Sequence, residues 1–146
     1  MKGDIWVVVA DATCARIFSA SDPSAELTEQ KDMLHTASRA PSSSLTSDRS
    51  GRDTDIQHTG SHSMGHEKAI KKHELQNFAR EIGQLLEHHR KKNHFYRLYL
   101  MASPQLLGLL RQELNHETQE IIAAEKDIDL VKERLSTIRN YLPKHL

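Results

Sequence analysis

The chain has 146 residues, with twenty basic residues balanced by twenty acidic ones, ten histidines and one cysteine. That length suits one domain spanning 1–146 around one core. The charge balance gives no global field toward nucleic acid or an anionic membrane, and Cys14 alone excludes an internal disulfide. The longest apolar run, Ile5–Ala10, is about half of what a membrane helix needs, and no signal-peptide pattern is visible. A cytoplasmic protein without membrane insertion is the expectation.

Ile5-Trp6-Val7-Val8-Val9-Ala10 is β-branched without alternation, the pattern of a strand buried on both faces. Asp11–Cys14 turns the chain, and Ala15-Arg16-Ile17-Phe18 is its hairpin partner. A turn follows at Ser21–Ser24, and Glu26–Leu34 forms a third, edge-like strand. Residues from about 36 to 66 lack any apolar period and form a long flexible loop. Loops of that length in compact domains are usually functional or disordered.

Beyond the loop the helical signal is strong. Leu75, Phe78, Ile82, Leu85 and His89 lie along one face, predicting a helix from about Gly65 to Lys92. Phe95–Ala102 is an aromatic-rich strand. Ser103-Pro104 supplies an N-cap and a proline at the first helical position, opening a short helix through Leu106, Leu107, Leu110 and Leu114. Gly108 in it permits close approach to a neighbour. Glu120–Ala124 is a fifth strand. Asp127 or Asp129 caps a last helix bearing Val131, Leu135, Ile138 and Leu142, which Pro143 stops.

The order β-β-β-α-β-α-β-α predicts an α/β three-layer sandwich with a mixed five-stranded sheet. A meander followed by two parallel crossovers suits ribonuclease-H-like folds. The nuclease chemistry itself needs several convergent carboxylates. Asp11 ends the first strand, but the fourth ends in Leu100-Met101-Ala102-Ser103-Pro104, so Asp11 is assigned to shaping the hairpin turn.

His58, His62 and His66 recur at i, i+4 and i+8, a spacing that on a helix suits zinc. Gly60 and Gly65 interrupt them, and a polar loop that happens to hold histidine is the preferred reading. His88, His89 and His94 answer the negative end of the helix dipole, with His89 packed. Arg49-Ser50-Gly51-Arg52 sets two guanidiniums around a glycine, which suits phosphate or carboxylate recognition. Residues 67–94 carry seven Lys/Arg against four acids, whereas 113–134 carry seven acids against three bases. Nucleophile-elbow, P-loop and dinucleotide patterns are absent.

Several stretches resemble the bacterial host-attachment protein family, the proteins required for attachment to host cells. They are WVVVADATCARIFSA at 6–20, LTSDRSGRDTD at 45–55, HEKAIKKHELQNFAREIGQLLE at 66–87, FYRLYLMASPQLLGLLRQEL at 95–114 and AAEKDI at 123–128. The resemblance implies a fold similar to the middle domain of eukaryotic and archaeal class-1 release factors. There the loop before the long helix carries a Gly-Gly-Gln tip, which this chain lacks.

The reading is a non-enzymatic binding module that contacts the ribosome or structured RNA, without a cofactor. Ser47, Asp48, Arg49, Gly51 and Arg52 form its working loop, and Asp11 and Arg16 support the loop base. The alternatives are a metal-dependent hydrolase with zinc at His58, His62 and His66, and a protein-binding factor affecting attachment to host cells. The sequence sets no oligomeric state.

Overall fold

Among the described residues ten elements follow one another: β1 (Asp4–Ala10), β2 (Cys14–Ala20), β3 (Thr28–Glu29), β4 (Leu34–His35), α1 (Gly60–Lys91), β5 (Phe95–Ala102), α2 (Pro104–Glu113), α3 (His116–Glu120), β6 (Ile122–Lys126) and α4 (Leu135–Asn140). The computed structural model describes residues 3–30, 34–35 and 60–146, with the backbone alone at 34–35 and 60–71. The sheet runs β3-β2-β1-β5-β6, with β4 also paired to β2. β1 and β2 are antiparallel, from Ile5 opposite Ala20 to Ala10 opposite Ala15. β1 and β5, and β5 and β6, are parallel. The sheet is therefore mixed, and its six strand segments fill five positions.

β1 is central, and Ile5–Ala10 is buried throughout. Its even residues Trp6, Val8 and Ala10 face a core shared with Leu75, Phe78, Ile82 and Leu86 of α1 and Leu106, Leu107 and Leu110 of α2. Its odd residues Ile5, Val7 and Val9 face a second core with Leu130, Val131, Ile138 and Leu142. Helices thus cover both faces, which is why the strand shows no polar alternation. Full burial of each such aliphatic side chain contributes roughly 1.5–3 kcal/mol.

Several boundaries differ from the sequence reading. The third strand is two short pieces: Phe18 and Ser19 pair with β3, and Cys14 and Ala15 pair with β4. Glu29 and Leu34 are five positions apart where their partners Phe18 and Ala15 are three, so the two pairings do not share one register. The first helix begins at Gly60, not Gly65, which moves residues 60–66 out of the expected loop. A glycine costs about 1 kcal/mol in a helix interior, yet propagation from a formed helix adds a bond per residue without a new nucleus.

Further along, α3 precedes the fifth strand, with Asn115 Oδ1 accepting from the Thr118 N–H at 2.9 Å. The last helix is only six residues, and its N-cap is Arg134 without a side-chain cap bond. Asp129 instead accepts the Val131 N–H at 3.1 Å in the turn before it. Ser103 is the N-cap of α2 with Pro104 behind it, though its hydroxyl makes no cap bond. A Cβ on Gly108 would meet nothing within 4 Å, so the close approach assigned there is absent; Gly83 of α1 makes it, against the Glu113 carbonyl.

The helix α1 has 32 residues and β5 has eight. At 1.5 Å per helical residue and about 3.3 Å per strand residue, that is roughly 48 Å against 26 Å. The C-terminus of α1 sits where the strands begin, since the Asp4 N–H donates to the His94 carbonyl at 2.9 Å. Its last 17 or so residues therefore span the sheet, matching Leu75 as the first buried residue met among those described. The remaining turns pass beyond the ends of β1, β5 and β6.

Candidate functional site

The parallel strands β1, β5 and β6 all end at one edge of the sheet, the carboxyl edge, where open α/β sheets commonly place their sites. Asp11 follows β1, Ser103 follows β5 and Asp129 lies shortly after β6. The Ser103 N–H donates to the Ala10 carbonyl at 3.3 Å, which sets the first turn of α2 beside the β1–β2 turn. β4 arrives at the same edge, with His35 opposite Cys14.

Asp11 is only 7 % exposed. Its Oδ1 accepts the Thr13 N–H at 2.7 Å, the Thr13 hydroxyl at 2.6 Å and the Cys14 N–H at 3.2 Å. These bonds close the hairpin, so Asp11 shapes this turn as its sequence position suggests. Its carboxyl group is also hydrogen-bonded to that of the exposed Asp129. Burial alone would raise the Asp11 pKa, but the Thr13 and Cys14 donors and the Asp129 contact outweigh it and hold it below the ordinary value. Asp129 is pushed the other way, by desolvation at the contact and by the charge and hydrogen bond of Asp11. Two carboxyl groups in contact titrate as a pair, and Asp11 is the more readily ionised of the two.

Arg16 reaches the same turn from β2. Its Nη1 donates to the Val131 carbonyl at 2.6 Å and the Glu133 carbonyl at 2.8 Å. Its Nε and Nη2 each bond a Glu29 carboxylate oxygen at 2.8 Å, and its guanidinium lies 5.1 Å from the Phe18 ring centre. A planar fork satisfies this many acceptors where an ammonium would not. Asp11 and Arg16 therefore both fasten the 129–133 turn to the hairpin, Asp11 through a side chain and Arg16 through backbone carbonyls.

Asp129 was missed as a partner of Asp11. Its only sequence signal was an acidic residue just beyond a strand, which equally fits a helix cap. Ser47, Asp48, Arg49, Gly51, Arg52 and His58 lie outside the described residues. His62 and His66 fall four positions apart within α1. Among the described residues, no three His, Cys, Asp or Glu side chains converge so as to hold a metal ion.

A second polar cluster was also not foreseen. Glu87 of α1 receives Arg90 Nε at 3.1 Å and Nη2 at 2.7 Å, and the buried Thr118 hydroxyl at 3.1 Å. Arg90 above all, with Asn115 and Thr118, lowers the Glu87 pKa to about 2 against the opposing effect of burial. This cluster pins α3 to α1 and is structural.

Across 6–142 the sequence matches the profile of a family described as protein required for attachment to host cells. The chain belongs to that family. No curated protein matches it. The match begins at Trp6 in β1 and ends at Leu142 beyond α4, so the carboxyl edge of this host-attachment family member, with Asp11, Arg16 and Asp129, lies wholly inside it. Among the described residues no helix is long and apolar enough to cross a membrane.

Proposed function

We propose that this host-attachment family member is a non-enzymatic, cytoplasmic binding module that contacts the ribosome or structured RNA through residues 36–59 and the start of α1. The observation that supports it is the shared edge. β4 ends beside Cys14, α1 extends past the same edge, and the sequence between them carries Arg49-Ser50-Gly51-Arg52. Asp11 and Arg16 contribute by locking the hairpin and the 129–133 turn beneath that edge. An antiparallel meander followed by two parallel crossovers is also the order of ribonuclease-H-like sandwiches and release-factor middle domains, and that likeness belongs to this reading. Lacking a Gly-Gly-Gln tip, the segment would dock rather than hydrolyse.

Phosphate contacts release counterions, so affinity falls linearly with log salt. The wild-type protein should bind a structured ribosomal RNA fragment with a salt slope that the Arg49→Ala/Arg52→Ala variant reduces by about 1 to 2. An affinity insensitive to salt, or a slope unchanged in the variant, defeats the reading.

A second reading is a zinc-dependent hydrolase using His58, His62 and His66. What favours it is that α1 begins at Gly60, which sets His62 and His66 one helical turn apart, the spacing of paired imidazole ligands. Stoichiometric zinc lost on His62→Ala/His66→Ala substitution would support it.

A further inference from the structure

The opposite, amino edge of the sheet holds a cavity of about 720 Å³ lined by Gly3, Asp4, Trp6, Ser19, Gln30, His89, Asn93 and His94, within the size range of small-molecule sites. Its floor is built by the way α1 ends. The His94 N–H donates to the His89 carbonyl at 3.0 Å and the Asn93 N–H to the Arg90 carbonyl at 2.9 Å. Asn93 takes φ 61°. This is a Schellman termination with Asn93 in the left-handed position, which brings the side chains on either side of it together.

In this chain those side chains are imidazoles. His89 Nδ1 and His94 Nδ1 lie 2.7 Å apart. His89 also packs 5.0 Å from the Trp6 ring, whose other neighbour is Phe95 at 4.7 Å. Gly3, at φ 92°, lets β1 begin against this corner, since a Cβ there would lie 2.3 Å from the Asn93 carbonyl oxygen. One Nδ1 must donate to the other, so the pair is uncharged or singly charged, never doubly, while the bond lasts. Across the cavity Gln30 Nε2 donates to Ser19 Oγ at 2.7 Å.

Among the described residues, Asp4 is the only Asp, Glu, Lys or Arg that lines the cavity, and no cation is paired with its carboxylate. The last carbonyls of a 32-residue helix add the negative end of its dipole. Desolvation first, then His94, His88 and Lys92, lower the His89 pKa, so this ring resists charging at neutral pH. Lys92 is the nearby cation and is exposed; Arg90 is engaged by Glu87. A carboxylate and neutral acceptors beside the largely buried indole together suit a positively charged guest.

We propose that this corner is a binding site for a small organic cation, an amine or guanidinium compound, with Asp4 as its counter-ion and Trp6, His89 and His94 as its wall. Trp6 is the sole tryptophan of the chain, so its fluorescence reports on this site and no other. Agmatine titrated into the full chain at neutral pH should give a saturable change in Trp6 emission. Asp4→Asn should weaken it about tenfold, while Asp127→Asn, an equal change in net charge at the far edge, should leave it unaltered. Acidification should weaken binding further as the imidazole pair gains protons. The absence of a saturable response, equal weakening by Asp4→Asn and Asp127→Asn, or a preference for succinate over agmatine would each overturn the proposal.

Discussion

Glu87 carries much of the burden of joining α1 to the segment between α2 and β6. Its carboxylate takes a bidentate Arg90 and the hydroxyl of a Thr118 that is only 1 % exposed. Because its pKa is held at about 2, below the ordinary 4.5, Glu87 stabilises the fold above about pH 4.5 and loses that contribution as pH falls toward about 2. Glu87→Gln keeps the shape but removes the charge. The expected cost is about 1–2 kcal/mol in urea unfolding at neutral pH. The gap between variant and wild type should narrow as pH drops below about 4.5, where the wild-type carboxylate begins to take up its proton. A gap that stays constant with pH would mean the charge is not what holds α3. The Asp11–Asp129 pair resists so simple an account, because the two carboxyl groups titrate together and shift in opposite directions.

At the scale of elements, Gly83 of α1 and Gly108 of α2 give a paired test. Gly108 has open space where a Cβ would stand, whereas at Gly83 it would lie 3.2 Å from the Glu113 carbonyl oxygen. Gly108→Ala should stabilise the protein by about 0.5–1 kcal/mol through helix propensity alone. Gly83→Ala forgoes that gain because α1 and α2 must move apart, and thermal melting should separate the two variants. The sequence favoured the wrong glycine because the leucines around Gly108 marked its helix as buried, while the helix period does not say which neighbour comes near. Elsewhere periodicity served well: β1, β2, β5 and α2 lie where their apolar patterns put them, because each buries a continuous face. It failed for the edge strand, where β3 is exposed along both residues and backbone pairing with β2 decides the outcome. It failed also for α4, whose apolar stripe continues through turns that are not helical. Of the carboxyl edge, the part of Asp11 in the hairpin turn was legible from its position after the first strand. Asp129 was not, since its role depends on a tertiary contact across about 118 residues of chain.

The two edges of the sheet differ in character. The carboxyl edge brings together a hairpin, a turn fastened by Arg16, and the overhanging start of α1. The amino edge holds an aromatic and imidazole corner closed by the end of the same helix. The two lie at opposite ends of the strands, so an Asp4 variant should leave the proposed RNA contact intact and an Arg49/Arg52 variant should leave the proposed Trp6 response intact. Sedimentation of cell lysate on sucrose gradients, at low and moderate salt, tests the central claim most directly when wild type and Arg49→Ala/Arg52→Ala are run side by side. The account predicts that the wild type migrates with ribosomal particles at low salt and leaves them as salt rises, and that the variant remains at the top. Wild-type protein that stays at the top in both conditions would contradict it.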